Sequence, residues 1–515
     1  MFSKQILISK IIKIRGKEEN IENLKDEKFL FLRILFDMEF TIMKRFVSLL
    51  FLSLLSICLF AQDKVVKKVI SLGQSDNRTM EFDDFLANRI GGRLIGSHAL
   101  EDAEEWVAEQ FRSWGLEVMV QEVGEINVGF NRGPWFGRML SEEGMILNFG
   151  TPSYTAGTKG PEKGPALIEP KDQREFDRIK GKLKGAWVLT DYQGKGFPVN
   201  PADTAHMFVQ MMEAGVRGFI MRGERPFPVL YDRRSCRDIT MDSLPTVCNI
   251  ILDADQYDLI EKKAARKDDF LLEFDIRNHF NRGPVKYHNV IGIIRGSKYP
   301  DEYVLVGGHL DAYDSASGAV DDGNGVAVTM ETARLLALSG AKPLRTIMFC
   351  VWTGEEFGLL GSKFFVQNGT VPLEKISNYF NRDGGPTVAT GITVPQAMYE
   401  DLKKVCEPIL NVNPDFPFTV NIRTGEPRPI PTKGGGSDHA YFARNGVPTI
   451  SFDLTDPKGY GFDYRQIWHT QRDLYYQVIP EYMEHSSIVS AVVVYGLANL
   501  NHILSREGLY KEKSE

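Results

Sequence analysis

The sequence predicts an α/β protein with a mostly parallel or mixed central sheet flanked by helices. Three observations carry that expectation. NVIGIIRG, YVLVGGHLD and TIMFCVWTGEE are near-continuous apolar runs, the pattern of strands buried on both faces. Helical patterns alternate with them: Gly325 to Ser339 with Gly340 as its cap, Gly358 to Val366, and an apolar helix over 484–503. Strands alternating with helices imply a sheet covered on both sides, and in such sheets function collects at the carboxyl ends of the strands.

The elements ahead of this region follow from local pattern. The mostly apolar run from Phe46 to Phe60 is 15 residues long, short of the roughly 20 a membrane-spanning helix needs. It follows Met43-Lys44-Arg45 and ends before Ala61-Gln62, the layout of a secretory signal peptide over 43–62. Residues 1–42 are then an upstream extension absent from the native protein, and the mature chain is exported to the periplasm or secreted. Ile57 before Cys58 is a poor fit to a lipid-anchor signal. FDDFLANRI reads as a short helix and GGRLIGS as a loop. Glu101 to Trp114 carries apolar residues at helical spacing, and LEVMVQEV alternates as a strand.

From about 130 the chain is at first rich in Gly and Pro. Short strands GAWVLT and RGFIM follow, with the helix MFVQMMEAGV between them. That rhythm argues against an unstructured loop. The expected organisation is 63–129 as the first part of a catalytic domain, 130–283 as an insertion, and 284–515 as the second part.

Composition narrows the function. Of 515 residues, 43% are apolar and 25% charged, ordinary for a globular chain. A formal net charge of −7 offers no basic stripe for nucleic acid. The five cysteines form no CxxC pair, so a thiolate metal site is not expected; Cys236 and Cys248 are candidates for a disulfide.

Five segments bear carboxylates and imidazoles: GGHLD with His309 and Asp311, AVDDGNG with Asp321 and Asp322, WTGEE with Glu355 and Glu356, NRDGG with Asp383, and IWHTQRD with His469. Each alone fits a turn, a cap or a solvated face. Together, imidazole and carboxylate donors without thiolates suit a hydrolytic zinc site. Two histidines and three carboxylates hold two metals if one carboxylate bridges them, and one of the adjacent glutamates is then left over as a base.

The order HxD, DDxxG, EE, D, HT resembles the co-catalytic zinc aminopeptidases and carboxypeptidases. The likeness is greatest to the carboxypeptidase Q (plasma glutamate carboxypeptidase) family. It runs from about Asp83 to Ser490 through GGRLIGS, GSKYPDEYVLVGGHLDAYD, GAVDDGNG and WTGEEFGLLGS. LPTVCNIIL with AGVRGFIM resembles the protease-associated module these proteins carry as an insertion.

The resemblance implies a zinc exopeptidase fold, two zinc ions per chain, peptide substrates and a homodimer. It implies that His309 and Asp383 bind one zinc, Glu356 and His469 the other, and Asp321 bridges them across a cis Asp321–Asp322 peptide. It makes Glu355 the general base acting on a metal-bridging hydroxide, and gives Asp311 the task of accepting the second ring N–H of His309. Gly434 stands where some bacterial relatives have a tyrosine, which leaves the oxyanion donor unassigned, with His439 a candidate. Trp468 replaces a tyrosine of other relatives. The alternatives are a glutaminyl cyclase-like single-zinc acyltransferase, a non-catalytic receptor-like relative, and a peptide-binding protein whose insertion does the main work.

Overall fold

A computed structural model describes residues 63–141, 144–192, 207–224, 227–230, 235–431 and 435–511. The expected leader and extension, and Gly434, lie outside the described residues. The account below concerns the unit Val65–Glu515.

Five long strands make the main sheet: β1 (Glu117–Leu140), β2 (Leu271–Ile294), β3 (Tyr299–His309), β4 (Arg345–Trp352) and β5 (Ile376–Asn381). Their order is β5-β3-β4-β2-β1, with the short strands Met145–Ile146 and Glu162–Gly164 pairing to β1 and β2. β3 is parallel to both β4 and β5, while β2 runs antiparallel to β4 and β1, so the sheet is mixed.

The apolar runs are buried on both faces because a strand points alternate residues to opposite sides. Val304 and Val306 of β3 and Ile347, Phe349 and Val351 of β4 join one core cluster. Tyr303 and Leu305, with Met348, Cys350 and Trp352, join another on the opposite face. The first face is covered by the helices Asn324–Leu338 and Pro480–Ala498, the second by Leu360–Gln367 and His439–Arg444. Pro480–Ala498 is apolar around its circumference, as a helix enclosed by protein must be.

The Gly- and Pro-rich stretch near 130 proves to be strand. β1 and β2 form a 24-residue antiparallel ribbon that runs out of the main sheet. Local composition hid it, since Gly and Pro weaken strand patterns. The ribbon absorbs them at irregularities: Pro134 falls in the register shift between Arg132 and Trp135, and the cis Gly283–Pro284 bond lies opposite the shift between Ile126 and Val128.

Beyond the ribbon a second sheet runs Phe149–Gly150, Cys248–Leu252, Gly218–Arg222, Trp187–Thr190, Ala166–Ile168, all parallel except the first. It has its own apolar clusters, one around Trp187, Phe149 and Phe274 and one around Phe176, Phe208 and Phe219. Cys236 and Cys248 are both buried free thiols rather than a disulfide.

Candidate metal centre

His309 ends β3, Glu355 and Glu356 follow β4, and Asp383 follows β5. Three parallel strands therefore deliver their acids and imidazole to one edge of the sheet. Asp321 and Asp322 come from the turn that opens the helix Asn324–Leu338. His469 comes from a loop ahead of the last helix.

The local sequence permits this convergence. A Cβ on Gly308 would lie 2.2 Å from the Asp322 carboxylate, and one on Gly325 2.3 Å from it. Without those side chains the Asp322 carboxylate reaches in and accepts the backbone N–H of His309 at 3.1 Å. The bond between Asp321 and Asp322 is cis, as the resemblance implies.

Two ligand groups form, His309–Asp321–Asp383 and Asp321–Glu356–His469, with donor atoms in each group within 4.8 Å of one another. Asp321 belongs to both. Its Oδ1 lies 3.3 Å from Nε2 of His309 and its Oδ2 lies 3.7 Å from Nε2 of His469. Glu356 Oε2 is 3.0 Å from His469 Nε2, and Asp383 Oδ2 is 3.8 Å from His309 Nε2. A cleft of about 270 Å³ opens onto them, lined also by Glu355, Gly436, Tyr464 and Trp468.

The electrostatics favour a cation. Asp321 Oδ2 and Glu356 Oε1 are buried and accept no hydrogen bond among the described residues. Burial opposes charge on His309, yet the carboxylates of Glu355, Asp321 and Asp383 outweigh it and hold the imidazole well above its usual range. Burial pulls His469 down to about 4, leaving a neutral ring suited to ligation. Burial drives the Glu355 carboxyl well above its ordinary value; the charge of Glu356 adds to this and His309 opposes it.

Asp311 meets the His309 ring through its backbone. His309 Nδ1 lies 2.8 Å from the backbone oxygen of Asp311, whereas the Asp311 carboxylate is 3.9 Å away. That carboxylate instead accepts the backbone N–H groups of Glu355 at 3.0 Å and Glu356 at 3.2 Å. A buried acid one turn of chain from His309 finds two unpaired amides in the bend after β4 nearer than an imidazole already satisfied. Asp311 thus positions the glutamate pair with its side chain and His309 with its backbone. His439 is not among the cleft's lining residues; it lines a neighbouring cavity together with Asp383. Trp468 stacks on the His469 ring, centroids 4.1 Å apart, and His469 itself has a left-handed backbone, φ 54°.

Three residues had no assigned role in the sequence. Asp473 accepts the N–H groups of Val320 at 2.7 Å and Asp321 at 3.2 Å. Arg93, fully buried, donates to the carbonyls of Leu310 at 2.6 Å, Ser317 at 3.0 Å and Gly318 at 2.8 Å, joining the His309 loop to the Asp321 turn. Tyr464 is a cleft residue whose phenol is raised well above its usual range, by burial and then by Asp321. GGRLIGS and IWHTQRD contain Arg93 and Asp473, but nothing in sequence says that a loop arginine will meet carbonyls of two distant ligand loops.

Paired histidine–carboxylate clusters sharing one aspartate at a sheet edge suit a metallohydrolase. Residues 289–494 match Peptidase family M28. The chain is 25% identical over 462 residues to carboxypeptidase Q of Mus musculus, covering 86% of this chain and 91% of that one. The structure of a peptidase M28 precursor from Shewanella amazonensis SB2B superposes with a TM-score of 0.58 at 22% identity, covering 87% of this chain and 98% of that one. BSAP, a zinc aminopeptidase from Bacillus subtilis, gives 0.51 at 19% identity, covering 84% and 97%. Residues 289–494 thus form a peptidase M28 domain, the chain is similar to carboxypeptidase Q over most of its length, and it is a zinc metallopeptidase.

Proposed function

We propose that the chain is an exported co-catalytic di-zinc exopeptidase that removes N-terminal residues from peptides or splits dipeptides. The observation that carries this reading is Asp321, whose two carboxylate oxygens face different histidines in two ligand groups. His309, Asp383 and Asp321 would hold one ion, and Asp321, Glu356 and His469 the other. Zinc supplies Lewis-acid chemistry, lowering the pKa of a water and drawing charge from a carbonyl.

The chain's own residues do the rest. Glu355 lines the cleft and is not in either ligand group, so its carboxylate is available to take a proton from the attacking water and pass it to the leaving amine. Asp311 sets the direction of Glu355 and Glu356 through their amides. Residues 130–283 read as a protease-associated insertion, supported by a second sheet with its own core. That module touches the site: the Leu230 N–H donates to the His469 carbonyl at 2.8 Å.

The test is a panel of aminoacyl amides and dipeptides, assayed with zinc and again with a chelator. The expected result is zinc-dependent release of amino acids. Cyclisation of N-terminal glutamine without peptide hydrolysis would overturn the reading.

A further inference from the structure

Of the five candidate ligands, His309, Glu356 and Asp383 are carried by strand ends of the main sheet, and Asp321 by the turn that opens the helix Asn324–Leu338. His469 has no such support. It lies between the strand Phe452–Thr455 and the helix Pro480–Ala498, in a stretch whose regular structure is two three-residue turns, Tyr464–Gln466 and Tyr475–Gln477. Its left-handed backbone, φ 54°, is one that a histidine keeps only where its surroundings fix it.

The fixing comes from the side of the second sheet. The Leu230 N–H donates to the His469 carbonyl at 2.8 Å. The Gln471 side-chain amide donates to the Phe149 carbonyl. The Arg472 guanidinium lies over the Phe227 ring, 4.6 Å from its centroid, within reach of a cation–π attraction. The ligand histidine and two of the three residues after it are therefore held by residues of one remote region. Local sequence permits the approach. A Cβ on Gly150 would lie 2.4 Å from Leu230 Cδ1, so a bare backbone at 150 lets the buried Leu230 side chain seat against the strand Phe149–Gly150.

We propose that residues 227–230 are a latch for the second metal group: they grip the chain at His469 and Arg472 and so aim the His469 ring at Glu356 and Asp321, with Phe227 and Arg472 as positioning residues. This deepens the di-zinc reading and rests on it. The latch does for His469 what a strand end does for the other histidine. His309 and Asp383 are placed by β3 and β5, so loosening the latch weakens one ion's site and spares the other.

The test compares full-chain wild type with Arg472→Gln, Phe227→Leu and the two combined, and with the conservative changes Arg472→Lys and Phe227→Tyr. Zinc is titrated into the metal-free protein against a chromogenic chelator that resolves two binding steps, and the melting temperature of each metal-free protein is recorded. We expect one step to weaken about tenfold in Arg472→Gln and in Phe227→Leu, the low end of what losing a ligand-orienting partner costs. The other step and the metal-free melting temperature stay at the wild-type values. The combined variant should lose little more than either alone, because the two residues make one contact. Phe227→Tyr keeps the ring and should bind zinc as wild type does, and Arg472→Lys keeps the cation and should recover part of the loss. Two unchanged steps, both steps weakened equally, or weakening matched by a fall in the metal-free melting temperature would overturn the latch and leave the two-ion reading standing. A single step in the wild-type protein would overturn both.

Discussion

The carboxylate of Asp473 holds Asp321 by its backbone, accepting the Asp321 N–H at 3.2 Å and that of Val320 at 2.7 Å. The acid that joins the two ligand groups is therefore aimed by a second acid four residues after His469. Burial, and then Asp321 itself, push the Asp473 carboxyl up to about 7. Asp473→Ala leaves both amides unpaired and lets the turn relax. Zinc affinity, read by competition with a chromogenic chelator, should fall about 10–100-fold, the usual cost of losing a partner that orients a ligand. An unchanged affinity would mean the turn is fixed without Asp473.

Glu355→Gln tests the base. The amide keeps the shape of the carboxylate and still fits the bend that Asp311 organises, but it takes no proton. kcat should fall by about 10²–10⁴-fold, the range general-base groups contribute, with zinc content unchanged. Retention of near wild-type turnover would remove Glu355 from the proposed role.

Arg93→Lys separates charge from geometry. Lysine keeps the cation, yet one ammonium does not span carbonyls at Leu310, Ser317 and Gly318 that a guanidinium reaches together. Each buried carbonyl left unpaired costs about 1–3 kcal/mol. The melting temperature should drop, and zinc affinity should drop with it because the two ligand loops lose their shared clamp. A fall in melting temperature with zinc affinity untouched would make Arg93 a stability residue only.

A pH dependence follows from Glu104 and His288. The Glu104 carboxylate accepts the His288 backbone N–H at 2.8 Å, and its other oxygen is 2.8 Å from the ring Nδ1. The hydrogen bond to Glu104 raises the His288 pKa, and burial raises that of Glu104. A raised histidine contributes stability that is complete below its unfolded value, about 6.5, and is lost as pH climbs through the folded value. The raised carboxyl acts in the same direction, since its folded state also holds the proton longer. Wild type should therefore lose more stability than His288→Gln between pH 6 and pH 9 in denaturant titrations. Parallel curves would contradict the pairing.

The fold and the grouping of the candidate ligands were legible because they rest on signals that survive without neighbours. Apolar runs such as YVLVGGHLD mark strands buried on two faces, and His309, Asp321, Glu356, Asp383 and His469 are donor types in an order that resembles a known family. What sequence hid depends on three-dimensional packing. The β1–β2 ribbon passes through Gly133-Pro134 and Gly283-Pro284, residues that read as breakers until a partner strand absorbs them in register shifts. Asp311 was expected to accept from the His309 ring; which of its oxygens does so depends on the bend after β4, a neighbour 44 residues away. Arg93 looked like a loop residue, since the carbonyls of Leu310, Ser317 and Gly318 that it joins to its own loop lie more than 200 residues away.

The central claim is a pair of cations sharing Asp321. The most direct measurement is metal content per chain by elemental analysis after zinc loading and removal of free metal. The account predicts two zinc ions per chain, both lost from Asp321→Ala. A single ion in the wild-type protein, or two retained without Asp321, would contradict it.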